Sequence, residues 1–409
     1  MSACRLCDAP LTQVVADLGA TPLANSYLSP EQLHEVEPYY PLLALVCGTC
    51  FLVQLEAFAT PHDIFSDYAY FSSYSASLLE HSRAFVEMMT ARVGLGRGDR
   101  VVEIASNDGY LLQYFAAGGL DVLGVEPAAN VAREAVKKGI PTDVRFFGSE
   151  TARALAAEGP RPRLIVANNV LAHTPYLNDF IAGLHLLLAP GGTLSIEVHH
   201  LLSLMRNHQF DTIYHEHFQY FSLGTARDAL ARHGLKVVDA EVIPTQGGSL
   251  RVIACHADDN SQSESPRVEA LVTEERDAGL RDLGRYSALG ENLRRIKLDL
   301  LDFLVAARKA GKTVVCYGAA AKGNTLLNYC GIDRDLVVAA VDTNPHKQGL
   351  FLPGSRVPIY HPDRVAAIKP DYLLLLPWNL REEIMGQMAH IRDWGGRFVV
   401  AVPELQVFS

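Results

Sequence analysis

From Arg100 onward, short apolar runs alternate with amphipathic stretches of helical length, and this alternation restricts the possible folds more than any other feature of the chain. RVVEIA reads as a buried strand, GYLLQYFAA as a helix and DVLGVEP as a second strand. NVAREAVKKG is the next helix, followed by a weak strand at TDVRFF and a helix from Glu150. LIVANN is another apolar strand, DFIAGLHLLL a helix that stops at Pro190-Gly191-Gly192, and TLSIEVHH the strand after it. A parallel crossover needs a helix-length connection, so such alternation predicts a parallel sheet with helices on both faces. KVVDAEVIPTQGGSLRVIACH reads as a hairpin turning near Gly247-Gly248, which would end the sheet in antiparallel strands. Polar residues 258–266 mark a boundary, and charged helical sequence at 266–310 leads into a second alternating unit. That unit holds the strands TVVCYG, LVVAAVD, DYLLLLPWN and RFVVAVPE and the helix NTLLNYCG. A chain of 409 residues exceeds one ordinary core. The expected division is residues 1–60, 61–265 and 266–409.

Residues 1–60 read as strand-poor and turn-rich, followed by an aromatic-rich loop and a helix over 77–92. They carry Cys4-Arg5-Leu6-Cys7 and Cys47-Gly48-Thr49-Cys50, two knuckles of identical spacing. Each knuckle presents half a tetrahedron of thiolates, and two complete it around Zn²⁺. A redox pair would instead follow a strand in a thioredoxin-like unit. Four thiolates close the coordination sphere, so a structural zinc is expected at Cys4, Cys7, Cys47 and Cys50, with segment 8–46 carrying structure of its own. Cys255, Cys316 and Cys330 sit in apolar surroundings and read as buried, unreactive thiols.

The net charge is −10 and no basic block occurs, which argues against a nucleic-acid partner. No apolar run has bilayer length, and the start Met1-Ser2-Ala3-Cys4 shows no charged-then-apolar leader. A cytoplasmic monomer without a membrane partner is the expectation. A few placed cations in such a protein still suit a small anionic substrate.

VVEIASNDGYLL is the first βα junction of the sheet. It is similar to the cofactor loop of class I methyltransferases, whose usual pattern is acid-x-Gly-x-Gly-x-Gly. Glu103 supplies the acid and Gly109 the last glycine, while Ala105 and Asn107 stand at the other glycine positions, with Ser106 and Asp108 between and beyond them. The second strand ends at Glu126-Pro127, where a carboxylate can accept from both ribose hydroxyls. The same acid serves NAD, but G-x-G-x-x-G, which lets a helix approach a pyrophosphate, is absent here. S-adenosylmethionine has no phosphate and is the expected cofactor. Asn168 and Asn169 follow the fourth strand, LIVANN, where polar side chains would contact adenine or methionine. Each residue alone reads equally well as a strand-end cap; jointly they line the carboxyl edge where open sheets bind ligands.

With the paired CxxC front end, EIASNDG, ANNVLAH, IYHEHFQYFS and GAAAKGN in order, the chain resembles the deoxysugar C-methyltransferases, particularly the C-3 methyltransferases of antibiotic sugar pathways. The resemblance implies an α/β protein with an N-terminal zinc-binding module, a class I methyltransferase Rossmann-like domain and a second, C-terminal Rossmann-like domain. It also implies a thymidine-diphosphate-linked 4-keto-sugar substrate, and it maps functional residues onto Tyr68, His173, Tyr214, Glu216 and His217, with His217 as the base. The chemistry asks for such groups. Carbon beside a ketone becomes nucleophilic once a base takes its proton and a donor stabilises the enolate, and a neutral histidine suits that task near neutrality. Against this, Tyr214-His215-Glu216-His217 also reads as a polar edge, or, in an extended strand, as a face on which His215 and His217 bind metal. His173 also reads as a cap of the following helix, and Tyr68 as core.

In the C-terminal unit, Gly318-Ala319-Ala320-Ala321-Lys322-Gly323 follows a strand. It is no Walker loop, since no Ser or Thr follows the lysine, but its small residues would bring a helix N-terminus and Lys322 near the substrate diphosphate. The resemblance implies substrate contacts from Lys322, Tyr214 and His173. Close helix packing, or a dinucleotide site using Asp342, are the other readings. The rival functions are an O- or N-methyltransferase on a nucleotide sugar, an NAD-dependent sugar enzyme and, last, a non-enzymatic zinc-dependent binding module, which would leave the carboxylate-bearing strand ends and the His/Tyr cluster unexplained.

Overall fold

The computed structural model of the chain describes residues 2–65 and 71–409. Its apolar runs are buried on both faces, as strands between helix layers must be. In chain order the strands are β1 (Gln13–Thr21), β2 (Tyr40–Val46), β3 (Val53–Leu55), β4 (Arg100–Ile104), β5 (Asp121–Val125), β6 (Thr142–Asp143), β7 (Leu164–Asn168) and β8 (Thr193–His199). They continue with β9 (Gln219–Tyr220), β10 (Leu235–Ile243), β11 (Ser249–His256), β12 (Val314–Tyr317), β13 (Ala339–Val341), β14 (Ile359–Tyr360), β15 (Tyr372–Leu375), β16 (Arg397–Val400) and β17 (Gln406–Phe408). Every residue of β7 and β8 is buried.

Two compact units form. The first gathers residues 1–13, 46–202 and 218–282. Its main sheet has the order β10-β11-β8-β7-β4-β5-β6. β8, β7, β4, β5 and β6 run parallel, and β11 lies antiparallel to both of its neighbours. The hairpin expected near Gly247-Gly248 joins β10 to β11, and both glycines take positive φ there. From β4 the chain builds outward through β5 and β6, then returns to place β7 on the other side of β4. That reversal makes the carboxyl ends of β4 and β7 a topological switch point, the place where such sheets bind ligands. The helix Ala76–Val93 packs Phe85, Val86 and Met89 into the core against Val101, Leu112 and Phe115. It starts at Ser75, whose side chain accepts from the Leu78 N–H, and stops at Gly94 in the left-handed conformation. A short antiparallel pair, β3 with β9, completes this unit.

The second unit gathers residues 14–45, 203–217 and 283–409. Its sheet has the order β14-β13-β12-β15-β16-β17, parallel except for β17. Val315, Val341, Leu373, Phe398 and Ile391 form its core. One sequence expectation fails. Residues 1–60 are not strand-poor, because β1, β2 and β3 all lie within them. Asp17, Gly19 and Pro41 interrupt the apolar pattern in β1 and β2; in the structure all three face solvent, so the strands tolerate them. Cys255, Cys316 and Cys330 are buried free thiols. Among the described residues, no helix is long and apolar enough to cross a membrane.

Candidate active site and metal centre

The two cysteine knuckles fold alike. The Cys4 N–H donates to the Ala9 carbonyl at 2.9 Å and the Cys47 N–H to the Leu52 carbonyl at 3.0 Å. In each, the residue four past the first cysteine closes the turn: the Asp8 N–H donates to Cys4 O and the Phe51 N–H to Cys47 O. Both closing residues have φ 62°. All four sulfurs lie within 4.8 Å of one another, with Cys4–Cys50 and Cys7–Cys47 each 3.5 Å apart. Four sulfurs at Zn–S bond length sit about 3.8 Å apart in a tetrahedron, so the set fits zinc. Cys4 is held well below the usual thiol value, and Cys50 well above it, each mainly by hydrogen bonding to the other. The Gln54 amide donates to Cys4 Sγ at 3.2 Å, and the Thr49 N–H to Cys47 Sγ at 3.4 Å. Such donors stabilise thiolate charge around a metal.

In the first unit the carboxyl ends of β4, β5 and β7 assemble the expected cofactor residues. Ala105, Asn107 and Gly109 have φ 58°, 50° and 76°. The departure from the glycine pattern therefore leaves the loop's left-handed turns in place, with an alanine and an asparagine adopting what glycine usually supplies. The Ala105 N–H donates to Val125 O, and the Asn107 and Ala128 N–H groups donate to the two carboxylate oxygens of Glu126 at 3.0 and 2.9 Å. Glu126 thus fixes the loop while each oxygen keeps capacity for a ligand hydroxyl. A Cβ at Gly124 would stand 2.3 Å from Ser106 Oγ, so only glycine in β5 lets the loop lie this close. Asp108 pairs with Lys138 at 3.0 Å, and Asn107 Oδ1 accepts from the Ser72 N–H. Asn168 ends β7, and Asn169 follows at φ 54° with its N–H donating to Glu197 O.

The cradle fits S-adenosylmethionine on two observations. Glu103 Oε2, Ser106 Oγ, Asp108 Oδ1, Asn168 Oδ1 and Asn169 Oδ1 are buried without a hydrogen-bond partner among the described residues. A ligand rich in hydroxyl and amine donors would satisfy them. Moreover, the buried carboxyl groups of Glu103, Asp108 and Glu126 can accept from the ribose and amine hydrogens of such a ligand. Burial drives the Glu103 carboxyl well above its usual value, with Glu126 and Asp108 adding to the rise. Burial also raises Glu126 to about 7. The unliganded chain's share of stability from this group is therefore present at low pH and lost as pH rises through about 7. A ribose whose hydroxyls donated to Glu126 would reverse that sign, because they bond best to the ionised form. Calorimetric titration should accordingly show S-adenosylmethionine affinity weakening below pH 7, by up to about tenfold per unit.

The second unit holds Tyr214, Glu216 and His217 on one loop, 211–217. The segment is a turn, closed by the His217 N–H donating to Tyr214 O at 2.9 Å. It is not an extended strand, so the shared-face metal reading of His215 and His217 loses its premise. His215 Nε2 donates to the Pro41 carbonyl at 3.1 Å and its ring meets Tyr40 edge-on. His217 is buried, and its Nδ1 faces the Thr212 carbonyl at 2.8 Å. A carbonyl only accepts, so Nδ1 carries the hydrogen and Nε2 carries the lone pair. Tyr214 stacks on the same ring, centroids 4.0 Å apart. Glu216 accepts from the Asn25 amide at 2.6 Å, and Tyr27, whose hydroxyl is within 3.2 Å of Asn25, donates to the Ala319 carbonyl.

Lys322 lies in the first turn of the helix Ala321–Cys330 and is buried over the Trp378 ring, 5.4 Å from its centroid. Burial lowers its ammonium to about 8, opposed by the Asp211 carboxylate, which itself accepts from the Trp378 indole at 2.6 Å. Tyr214 packs with Ala24 and Ala321, so the loop carrying His217 meets the start of this helix within one unit. At Gly323 a Cβ would stand 2.6 Å from Leu376, so close packing does operate there. In the first unit, His173 ends a short turn after β7; burial lowers its imidazole to about 4, and Phe65 meets it edge-on. Its side chain does not cap the next helix, Leu177–Leu187. Tyr68 lies outside the described residues. Asn25, Tyr27, Asp211 and Trp378 were not singled out by sequence, since none stands in a spacing that signals chemistry.

Comparison with known proteins fits this arrangement. Three family models match in order: a zinc binding domain at residues 4–65, a methyltransferase domain at 78–240 and a C-methyltransferase C-terminal domain at 244–403. C-methyltransferase NovU of Streptomyces niveus is 37% identical over 406 residues, covering 99% of this chain and 96% of that one. The chain belongs to the C-methyltransferase family. It is an S-adenosylmethionine-dependent C-methyltransferase with a zinc-binding module. Among solved structures, magnesium protoporphyrin IX methyltransferase of Synechocystis PCC 6803, with S-adenosylmethionine bound, is 17% identical and covers 42% of this chain and 78% of its own, at a TM-score of 0.32. The N1-methyltransferase of 1,6-didemethyltoxoflavin from Burkholderia thailandensis is 18% identical and covers 51% of this chain and 95% of its own, at 0.35. Neither likeness bears on what this C-methyltransferase modifies.

Proposed function

We propose that this C-methyltransferase acts on a thymidine-diphosphate-linked 4-keto-deoxysugar, at C-3, through an enolate formed by His217. The observation that carries the reading is the His217 tautomer. Nδ1 donates to the Thr212 carbonyl, which orients the ring and makes Nε2 the basic nitrogen, the one suited to take a proton from carbon. Tyr214, stacked on that ring, and His173, which burial keeps neutral near pH 7, are the donors for the developing enolate oxygen. Glu216, held by Asn25, orients a sugar hydroxyl. When bound, S-adenosylmethionine supplies an electrophilic methyl group. Glu103, Ser106, Asn107, Asp108, Gly109, Glu126, Pro127, Asn168 and Asn169 hold the donor, and Lys322 offsets the charge of the substrate diphosphate. In this reading residues 1–60 carry zinc, 61–265 the methyl donor, and 266–409 contribute to nucleotide-sugar binding.

The test is incubation of the purified protein with S-adenosylmethionine and thymidine-diphosphate 4-keto-6-deoxysugars. The expected product gains one methyl group by mass, and NMR assigns it to the carbon beside the ketone. A methyl group on oxygen or nitrogen, or no transfer to any such sugar, overturns the reading.

A further inference from the structure

One of the two residues between the first pair of zinc-binding cysteines does more than fill a turn. Arg5 Nη1 donates to the Phe218 carbonyl at 2.8 Å, and its guanidinium lies over the Phe218 ring, 5.4 Å from the centroid. The backbone of Phe218 is held at its other polar group too, because its N–H donates to the Ala172 carbonyl at 2.7 Å. That N–H belongs to the peptide bond joining His217 to Phe218, and Ala172 directly precedes His173. One residue on, the Gln219 amide donates to the Leu171 and Thr174 carbonyls at 2.6 and 2.8 Å, bracketing His173. The knuckle that carries Arg5 is fixed from three further directions. The Arg5 N–H donates to Gln54 Oε1 at 3.0 Å, the Asn178 amide donates to Arg5 O at 2.8 Å, and Arg232 donates to Leu6 O at 2.7 Å.

We propose that Arg5 is a positioning residue for methyl transfer: anchored in the zinc knuckle, it clamps Phe218 and so fixes the backbone at 171–174 and at the His217–Phe218 junction. The zinc centre then serves the chemistry at a distance, by fixing the base of the clamp. The inference rests on the reading of His217 as the base. Arg5 touches no reacting atom in this scheme. Its loss should be tolerated by the fold, since Phe218 O also accepts from the Leu55 N–H at 2.9 Å.

The test compares Arg5→Leu and Arg5→Lys with the unaltered protein. In Arg5→Leu, zinc content and S-adenosylmethionine affinity should stay within about twofold, while amide hydrogen exchange at 171–174 and 217–220 rises. With the 4-keto-sugar, kcat should fall about ten- to a hundredfold at little change in KM, as expected when a supporting contact is lost and geometry loosens. Arg5→Lys should recover part of both the protection and kcat. Unchanged exchange in Arg5→Leu overturns the clamp, whether or not any sugar is methylated. So does raised exchange with full kcat, or loss of kcat only in step with loss of zinc. If the unaltered protein methylates no keto-sugar while exchange rises as stated, the clamp stands and the substrate reading fails.

Discussion

Replacing His217 with asparagine should lower kcat by about a thousandfold, the scale of a general base, while S-adenosylmethionine binding stays within about twofold. Asparagine keeps a side-chain N–H that can still donate to the Thr212 carbonyl, so the turn at 211–217 should survive. It lacks the lone pair on the far side of the ring. The residues proposed to hold the cofactor gather at the carboxyl ends of β4, β5 and β7, and the hydrogen bonds that shape their loop run to Val125 O and Glu126 rather than to this imidazole. Steady-state rates and cofactor calorimetry on the same preparation check both halves. Full activity would remove His217 as the base; loss of cofactor binding alongside activity would mean that the substitution acts on the fold.

Metal removal should have an effect of similar size on stability. The buried Cys47 is replaced by serine, or zinc is stripped with a strong chelator. Either change leaves the remaining thiolates crowded within 4.8 Å without a counter-charge. Structural zinc in four-ligand sites is linked to folding by on the order of 10 kcal/mol. Even a fraction of that should lower the midpoint of thermal unfolding by at least about 10 °C. The knuckle at Cys47 leads directly into β3, which pairs with β9, so activity should fall with the metal. Metal analysis should return about one zinc per chain. A folded, metal-free protein with an unaltered melting temperature would contradict the assignment of these cysteines.

Much of this architecture was legible because the signals are local. Continuous apolar runs such as LIVAN predict strands buried on both faces, and β7 is buried at every residue. The paired CxxC spacing predicts four convergent sulfurs. Other features depend on contacts that sequence does not display. β1 and β2 were hidden because Asp17, Gly19 and Pro41 break their pattern, a disruption that solvent-facing positions tolerate. The left-handed turns at Ala105 and Asn107 were obscured by the missing glycines; the structure holds them with hydrogen bonds to Val125 O and Glu126. The tautomer of His217 follows from one carbonyl, at Thr212, that no motif marks. Likewise, Asn25 and Tyr27 gain importance only when Glu216 and Ala319 are brought beside them within the second unit.

The most direct test of carbon activation leaves the methyl donor out of the reaction. With S-adenosylhomocysteine in its place and the thymidine-diphosphate 4-keto-sugar in deuterated water, NMR should show deuterium entering at the carbon beside the ketone. His217→Asn should show none above the solvent background. A sugar whose carbon-bound hydrogens stay unexchanged with the unaltered protein would contradict an imidazole-generated enolate.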